Sequence, residues 1–260
     1  MPSRVNYNAI ASTYNQRYDQ HSLPGVAREL RHLIERGHVR DVLEVGCGTG
    51  HWVIELRDLA HQVCGLDLSL GMLRQAQAQA THLPLVNGDA NHLPFATESF
   101  DLVLSVNALH HYTDKRAFIT EAQRLLRPGG ALAIINMDPH IERDIWYLYD
   151  YFEGVRARDF QRFPSGGQLL DWLKAAGFTR AEWRVAERIH QEFVGRAVLD
   201  NPFTQKHGSS QLALLSDEAY AAGLQLIQAA LAELGGDEKV FIADQWLTLI
   251  VGWLDERDDG

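Results

Sequence analysis

The sequence predicts an α/β protein: a doubly wound, mainly parallel sheet with helices inserted in its C-terminal half. Three observations carry that expectation. Between residues 41 and 138, short apolar runs alternate with segments of helical period, the rhythm of a parallel sheet with right-handed crossovers. The run from Phe100 to Val106 is nearly continuously apolar, as suits a strand covered on both faces. After the first apolar run comes Gly46-Cys47-Gly48-Thr49-Gly50, a turn whose main chain can approach a ligand where a side chain would block it.

The elements follow in order. Tyr7, Ile10, Tyr14 and Tyr18 recur at helical spacing. A second helix starts at Pro24, a favourable first-turn residue, buries Leu30, Leu33 and Ile34, and stops at Gly37. Val42 to Val45 is strand one, and Trp52 to Leu59 belongs to the helix after it. Gln62 to Leu66 is strand two, ending at Asp67, and Ser69 caps a helix through Gln79. Leu83 to Val86 is strand three and Phe100 to Val106 strand four. Ala117 to Leu126 is a helix closed by Pro128-Gly129-Gly130, and Ala131 to Ile135 is strand five. Beyond residue 138 the rhythm changes. Ile141 to Phe152 is aromatic-rich and reads as helix, and Ser165 to Ala176 as a capped helix ending at Gly177. A strand lies within Thr179 to Val194. Ser216 caps a helix through Leu234, with Leu224, Ile227, Leu231 and Leu234 on one face and Gly235-Gly236 as its stop. Val240 to Val251 is the last strand.

Composition narrows the class. Of 260 residues, 46% are apolar and 22% charged, as in globular domains. No apolar run approaches the roughly 20 residues of a membrane span, and Met1 to Asn6 lacks a signal-peptide core. Two cysteines, Cys47 and Cys64, argue against a disulfide framework and for a reducing cytoplasm. A net charge of −10 with scattered Lys and Arg argues against nucleic acid. The acidic run Asp255 to Asp259 reads as a solvated end. The expected organisation is one domain over 1–260: an N-terminal helical segment (1–38), a ligand-binding core (39–138) and inserted helices with the last two strands (139–260); the family resemblance given below makes the first a lid and the last the acceptor side.

The glycine spacing selects the ligand. Doubly wound sheets bind at the carboxyl ends of their strands, where this turn lies. A dinucleotide motif would read Gly-x-Gly-x-x-Gly, but His51 holds its last position. A P-loop is excluded because no Gly-Lys-Ser/Thr follows. Glu44, before the turn, would repel a pyrophosphate and attract an ammonium. The expected ligand is nucleoside-like with a positive appendage.

Glu44-Val45-Gly46-Cys47-Gly48-Thr49-Gly50 resembles the first motif of the class I S-adenosylmethionine (SAM)-dependent methyltransferases. Gly65-Leu66-Asp67-Leu68-Ser69, Asn87-Gly88-Asp89-Ala90, the run from Phe100 to Ser105, and Leu125 to Gly130 resemble that family's later motifs, in order and at its spacing. The resemblance covers residues 40–138 well and the rest loosely. It implies a Rossmann-like seven-stranded sheet in the order 3-2-1-4-5-7-6 with strand 7 antiparallel, so that Val240 to Val251 becomes strand seven. It also implies SAM as cofactor, leaving as S-adenosylhomocysteine. Asp67 would take both ribose hydroxyls, since a carboxylate accepts two hydrogen bonds side by side. Asp89, with Ala90 beside it, would meet adenine, and Leu68 and Met72 would line adenine and ribose. Gly46, Cys47, Gly48 and Gly50 would form the turn against the ligand, Cys47 being there for its small size. Tyr14 would contact the cofactor from the lid, with Tyr7 and Tyr18 behind it.

Methyl transfer is an in-line displacement that depends first on positioning. The segment after strand four, Asn107-Ala108-Leu109-His110-His111-Tyr112, would face the methyl group. His111, and less so His110, is a candidate base, and Asn107 would orient the acceptor or the methionine end of SAM. No residues stand at metal-ligand spacing. Trp146, Tyr147, Tyr149, Tyr151 and Phe152, with Phe160 and Phe163, either wall a pocket for an apolar or flat small-molecule acceptor or pack the inserted helices. The oligomeric state is not legible. Rival readings are a non-catalytic SAM-binding sensor, an NAD-linked oxidoreductase, and a nucleic-acid methyltransferase; the last is opposed by the charge and by Ser105-Val106-Asn107-Ala108 in place of an Asn-Pro-Pro-Tyr motif.

Overall fold

The structure, a computed structural model, describes Tyr7, residues 23–233 and residues 235–256. The helix expected around Tyr14 and Tyr18, the residue Leu234 and the tail beyond Glu256 lie outside the described residues.

Eight strands form one sheet among them: β1 (Asp41–Val45), β2 (Gln62–Asp67), β3 (Leu85–Asn87), β4 (Phe100–Val106), β5 (Leu126–Met137), β6 (Ile145–Trp146), β7 (Arg180–Val194) and β8 (Val240–Trp253). The order runs β3-β2-β1-β4-β5-β8-β6, with β7 also paired to β8. β1 to β5 pair in parallel. β8 runs antiparallel to β5 along one edge and to β7 along the other, since Trp253 is opposite both Ala131 and Arg180. Apart from the two-residue β6, this is the expected order of seven strands with its antiparallel member.

The helices are α1 (Pro24–Arg36), α2 (His51–Leu56), α3 (Leu70–Gln79), α4 (Lys115–Leu125), α5 (Tyr147–Tyr151), α6 (Val155–Arg162), α7 (Gly166–Ala175), α8 (Ala197–Asp200), α9 (Ser210–Ala213) and α10 (Asp217–Ala232). Strand side chains alternate between two cores. Val42, Leu102, Leu104, Ala133 and Ile135 meet α1, α2 and α3 on one face. Leu43, Val45, Val103, Leu132 and Ile134 meet α4 and α7 on the other. Each fully buried Leu or Phe here contributes about 1.5–3 kcal/mol, and β4 reads as a nearly continuous apolar run.

The expected caps form. Ser69 Oγ accepts from Met72 N–H at 3.2 Å, Ser216 Oγ from Ala219 N–H at 3.1 Å, and Ser165 and Gln168 make a reciprocal box. Two expectations fail: Leu126 to Gly130, read as a helix end and turn, belong to β5, and the second lies after β5. Ile141 to Phe152 is not a single helix: a 3₁₀ turn at Pro139–Ile141 leads into β6, and only Tyr147–Tyr151 is helical. Pairing with Asp244 and Ala243 of β8 draws Ile145 and Trp146 into the sheet, a long-range partner that local periodicity does not reveal. α6, α8 and α9 carry no sequence expectation.

Candidate active site

Two aspartates at strand ends do opposite work. Asp101, at the amino end of β4, accepts from Arg40 and Asp41 N–H at 2.8 and 2.9 Å and pairs with Arg127 at 2.7 Å. It fastens the end of the sheet remote from the turn. Asp67, at the carboxyl end of β2, holds the turn: Oδ2 accepts from Gly48 N–H at 2.8 Å and Oδ1 from Ser69 N–H at 2.7 Å. A carboxylate has about four lone-pair sites, so these two N–H groups do not exhaust it. Burial raises the pKa of Asp67 against the lowering effect of those N–H groups. Asn87 Nδ2 donates to Asp67 O and Leu68 O, both at 3.0 Å, tying the loop after β2 to β3.

The turn itself rests on Tyr112. Its hydroxyl donates to Val45 O at 2.6 Å and accepts from Ser105 Oγ at 2.9 Å. Gly46 has φ of +75°; a Cβ there would run into Ala108 Cβ and stand 2.9 Å from the Tyr112 hydroxyl. Two neighbours therefore demand glycine where the backbone already favours it.

A cavity of about 350 Å³ opens over this turn. Glu44, Gly46, Cys47, Gly48, Asp67, Leu68, Met72, Asp89, Ala90, Asn107, His110 and His111 all line it, as does Tyr7. Gly50 does not: at φ +79° it begins α2, packed against Ala76. Met72 belongs as much to the core, being 1% exposed. Tyr14 lies outside the described residues. Tyr112, Arg162 and Leu214 line the cavity beyond the expected set. Tyr112 adjoins the segment after strand four, a signal that could have found it; Arg162 and Leu214 come from segments with no motif.

A second cavity of about 130 Å³ shares Tyr7, Asn107, His110 and His111 with the first. Leu23, Met137, Trp146, Phe163, Ile189 and Leu247 give it apolar walls, and Ser209, Ser210, Gln211 and Gln245 a polar part. The aromatic run therefore divides. All four of Trp146, Tyr147, Phe152 and Phe163 are buried in one core, but of these only Trp146 and Phe163 also line the cavity.

The shared wall is built with some strain. Asn107 has φ of +50°, a region Asn tolerates better than most residues, and its N–H is pinned to Ile135 O at 2.7 Å. His110 stacks on Phe163 with ring centroids 4.2 Å apart, and its Nδ1 lies 3.4 Å from Asn136 Oδ1. Burial first, then His111 and Arg162, hold its pKa well below the ordinary value, so His110 is neutral at neutral pH. His111 Nε2 meets the Tyr7 hydroxyl at 2.6 Å.

The donor set fits a cationic nucleoside. Glu44 is 2% exposed and its Oε2 makes no hydrogen bond with the described residues. Burial, then Asp67, push its pKa well up. An orphaned buried carboxyl oxygen in a ligand cavity is costly and suits an ammonium. Asp89 Oδ1 accepts from Asn91 N–H at 2.9 Å, leaving Oδ2 for an amino donor. Cys47 is buried, and burial first, then Glu44 and Asp67, push its thiol pKa up.

The cavity lies at the carboxyl ends of the parallel strands, where doubly wound sheets take their ligands, and known proteins give the class. Residues 43–134 match the model of a methyltransferase domain family. A probable S-adenosylmethionine-dependent methyltransferase of Mycolicibacterium smegmatis is 32% identical over 219 residues, covering 76% of this chain and 84% of the relative. A demethylmenaquinone methyltransferase of Lactiplantibacillus plantarum is 33% identical over 212 residues, covering 68% and 88%. Among solved structures, the YcgJ protein of Bacillus subtilis superposes with a TM-score of 0.61 at 18% identity, covering 92% of this chain and all of its own. The chain belongs to the S-adenosylmethionine-dependent methyltransferases. It is an enzyme, and S-adenosylmethionine is its cofactor.

Proposed function

We propose that the enzyme methylates a small molecule whose apolar or flat body occupies the second cavity, with the cofactor in the first. The shared wall carries this reading: Tyr7, Asn107, His110 and His111 border both spaces. The polar part at Ser209 to Gln211 suits an acceptor with one hydrogen-bonding end.

Bound in the first cavity, S-adenosylmethionine supplies a methyl carbon on a sulfonium, and displacement by the acceptor leaves a neutral thioether. The chain's residues position and deprotonate. Asp67 and Asp89 hold the ribose and adenine, and Glu44 the ammonium. Asn107 orients the acceptor. His110, neutral and stacked on Phe163, closes the wall without adding a charge that would repel the sulfonium. His111 is the base: the acceptor proton passes to the Tyr7 oxygen as the Tyr7 proton passes to His111 Nε2, across the 2.6 Å contact. Trp146 and Phe163 exclude water from the acceptor side.

The test begins with methyl-labelled S-adenosylmethionine, a metabolite extract and mass spectrometry of the methylated product. With that product in hand, His111→Gln lowers kcat by roughly 10²-fold, far more than it weakens S-adenosylhomocysteine. Undiminished turnover in that variant would remove His111 from the chemistry.

A further inference from the structure

Three carboxylates, Glu44, Asp67 and Asp89, line the first cavity, and among the described residues one Arg or Lys side chain joins them: Arg162. The mechanism above does not use it. Arg162 closes α6, and an arginine at a helix end ordinarily extends into water. Here the side chain is 14% exposed.

A closed ring of polar contacts holds it in place. Arg162 Nη2 donates to Ser210 Oγ at 3.0 Å, and Ser210 Oγ donates to Gln211 Oε1 at 3.2 Å. Gln211 Nε2 donates to Asp159 Oδ2 at 3.1 Å, and Asp159 Oδ1 faces Arg162 Nη1 at 3.5 Å. Tyr149 adds a donor to Asp159 Oδ2 at 3.1 Å. The ring orients the guanidinium without saturating it. Nη1 is buried and makes no hydrogen bond with the described residues, and Asp159 Oδ1 is in the same position. A guanidinium presents five N–H donors in a planar fork, and leaving it under-coordinated in a buried site is costly.

We propose that Arg162 is an anion-recognition residue that binds a carboxylate within the cavity, supplying the acceptor oxygens that its own ring does not. Two ligands carry such a group. One is the cofactor, through its amino-acid end. The other is an acidic acceptor, because Ser210 and Gln211 of the same ring line the second cavity. The proposal rests on the reading that the first cavity holds the cofactor. It places a positive wall on α6 to complement Glu44 and Asp67 on the sheet side.

Calorimetry with three probes separates the outcomes: S-adenosylhomocysteine; 5′-methylthioadenosine, which lacks the amino-acid end; and benzoate added to protein saturated with S-adenosylhomocysteine. Removing Arg162 alone strands a buried carboxylate, so the main variant is Asp159→Asn with Arg162→Gln. Arg162→Lys keeps the charge but loses the fork. Methylthioadenosine affinity should match the wild type in both variants, which certifies the fold and the adenosine end. The double variant should then lose roughly tenfold or more on S-adenosylhomocysteine if the cofactor supplies the carboxylate, or on benzoate if the acceptor does, with Arg162→Lys between. The proposal is overturned if both affinities stay within about twofold of wild type, or if methylthioadenosine falls in step with S-adenosylhomocysteine, the mark of a structural brace. Failure of the wild-type protein to bind either nucleoside overturns the cavity reading itself, a different result.

Discussion

Glu44 combines deep burial with a carboxyl oxygen that has no hydrogen-bond partner among the described residues. Its raised pKa keeps it protonated over a wider pH range than an exposed Glu. An ammonium beside it favours the ionised form, so binding releases a proton and S-adenosylhomocysteine affinity rises with pH across the Glu44 ionisation. Glu44→Gln should flatten that dependence. It should weaken S-adenosylhomocysteine by roughly tenfold or more while sparing 5′-methylthioadenosine, both measured by calorimetry. Equal losses on the two ligands would take Glu44 out of contact with the amino-acid end. Residue types at this scale are readable from the sequence where a motif marks them. Glu44, Asp67 and Asp89 follow from motifs and their spacing, and each lines the cavity. Arg162 does not, because a basic residue on a helix has no local signature distinguishing a buried fork from a solvated one.

Among elements, the turn between β1 and α2 shows how a short motif depends on distant support. Gly46 is needed for its φ and for the space that Ala108 and Tyr112 take. Gly154 has the same φ of +75°, but a Cβ there would meet nothing within 4 Å. Gly154→Ala should therefore cost only the left-handed backbone penalty, about 1–2 kcal/mol. Gly46→Ala should cost more than that and abolish nucleoside binding. Chemical denaturation and calorimetry on the pair check this, and equal stability losses would deny the steric role of Tyr112. Elements with strong local signals are legible: α1 from Pro24, the caps at Ser69, Ser165 and Ser216, and β4 from its apolar run. β6 reads as helix in the sequence because its partners, Asp244 and Ala243, lie about a hundred residues away in the chain.

Across the molecule, folding brings together carboxylates from four separate segments. Asp138 follows β5, Asp144 precedes β6, Asp159 lies on α6 and Asp244 on β8. Asp244 is neutralised by Arg188 at 2.6 Å, and Asp138 accepts from His140 and Gly166 N–H at 3.0 and 2.7 Å. Asp144 accepts from Trp246 N–H at 2.8 Å, but its Oδ2 is buried without a hydrogen bond to the described residues. Burial, with Asp138, Asp159 and Asp244 nearby, raises its pKa to about 6. A carboxyl whose folded pKa is raised stabilises the fold below its unfolded pKa of ~4, and that contribution is lost as pH rises through 6. Asp144→Asn should thus raise the melting temperature at pH 8 and make little difference at pH 4. A variant that melts lower than wild type at pH 8 would show that the charge is used.

The sequence by itself determined the sheet class, the strand order implied by its motifs, the family and the cofactor. The sheet class follows from local patterns, namely apolar period, cap residues and a glycine turn; the strand order, the family and the cofactor follow from the resemblance of its ordered motifs to those of the methyltransferases. Tertiary structure alone decided the second cavity. Met137 and Leu247 on adjoining strands, Trp146 at a strand added by pairing, Phe163 after α6 and Ser210 on α9 meet in one small cavity. Their convergence depends on packing between segments far apart in the chain, and no spacing within the sequence encodes it.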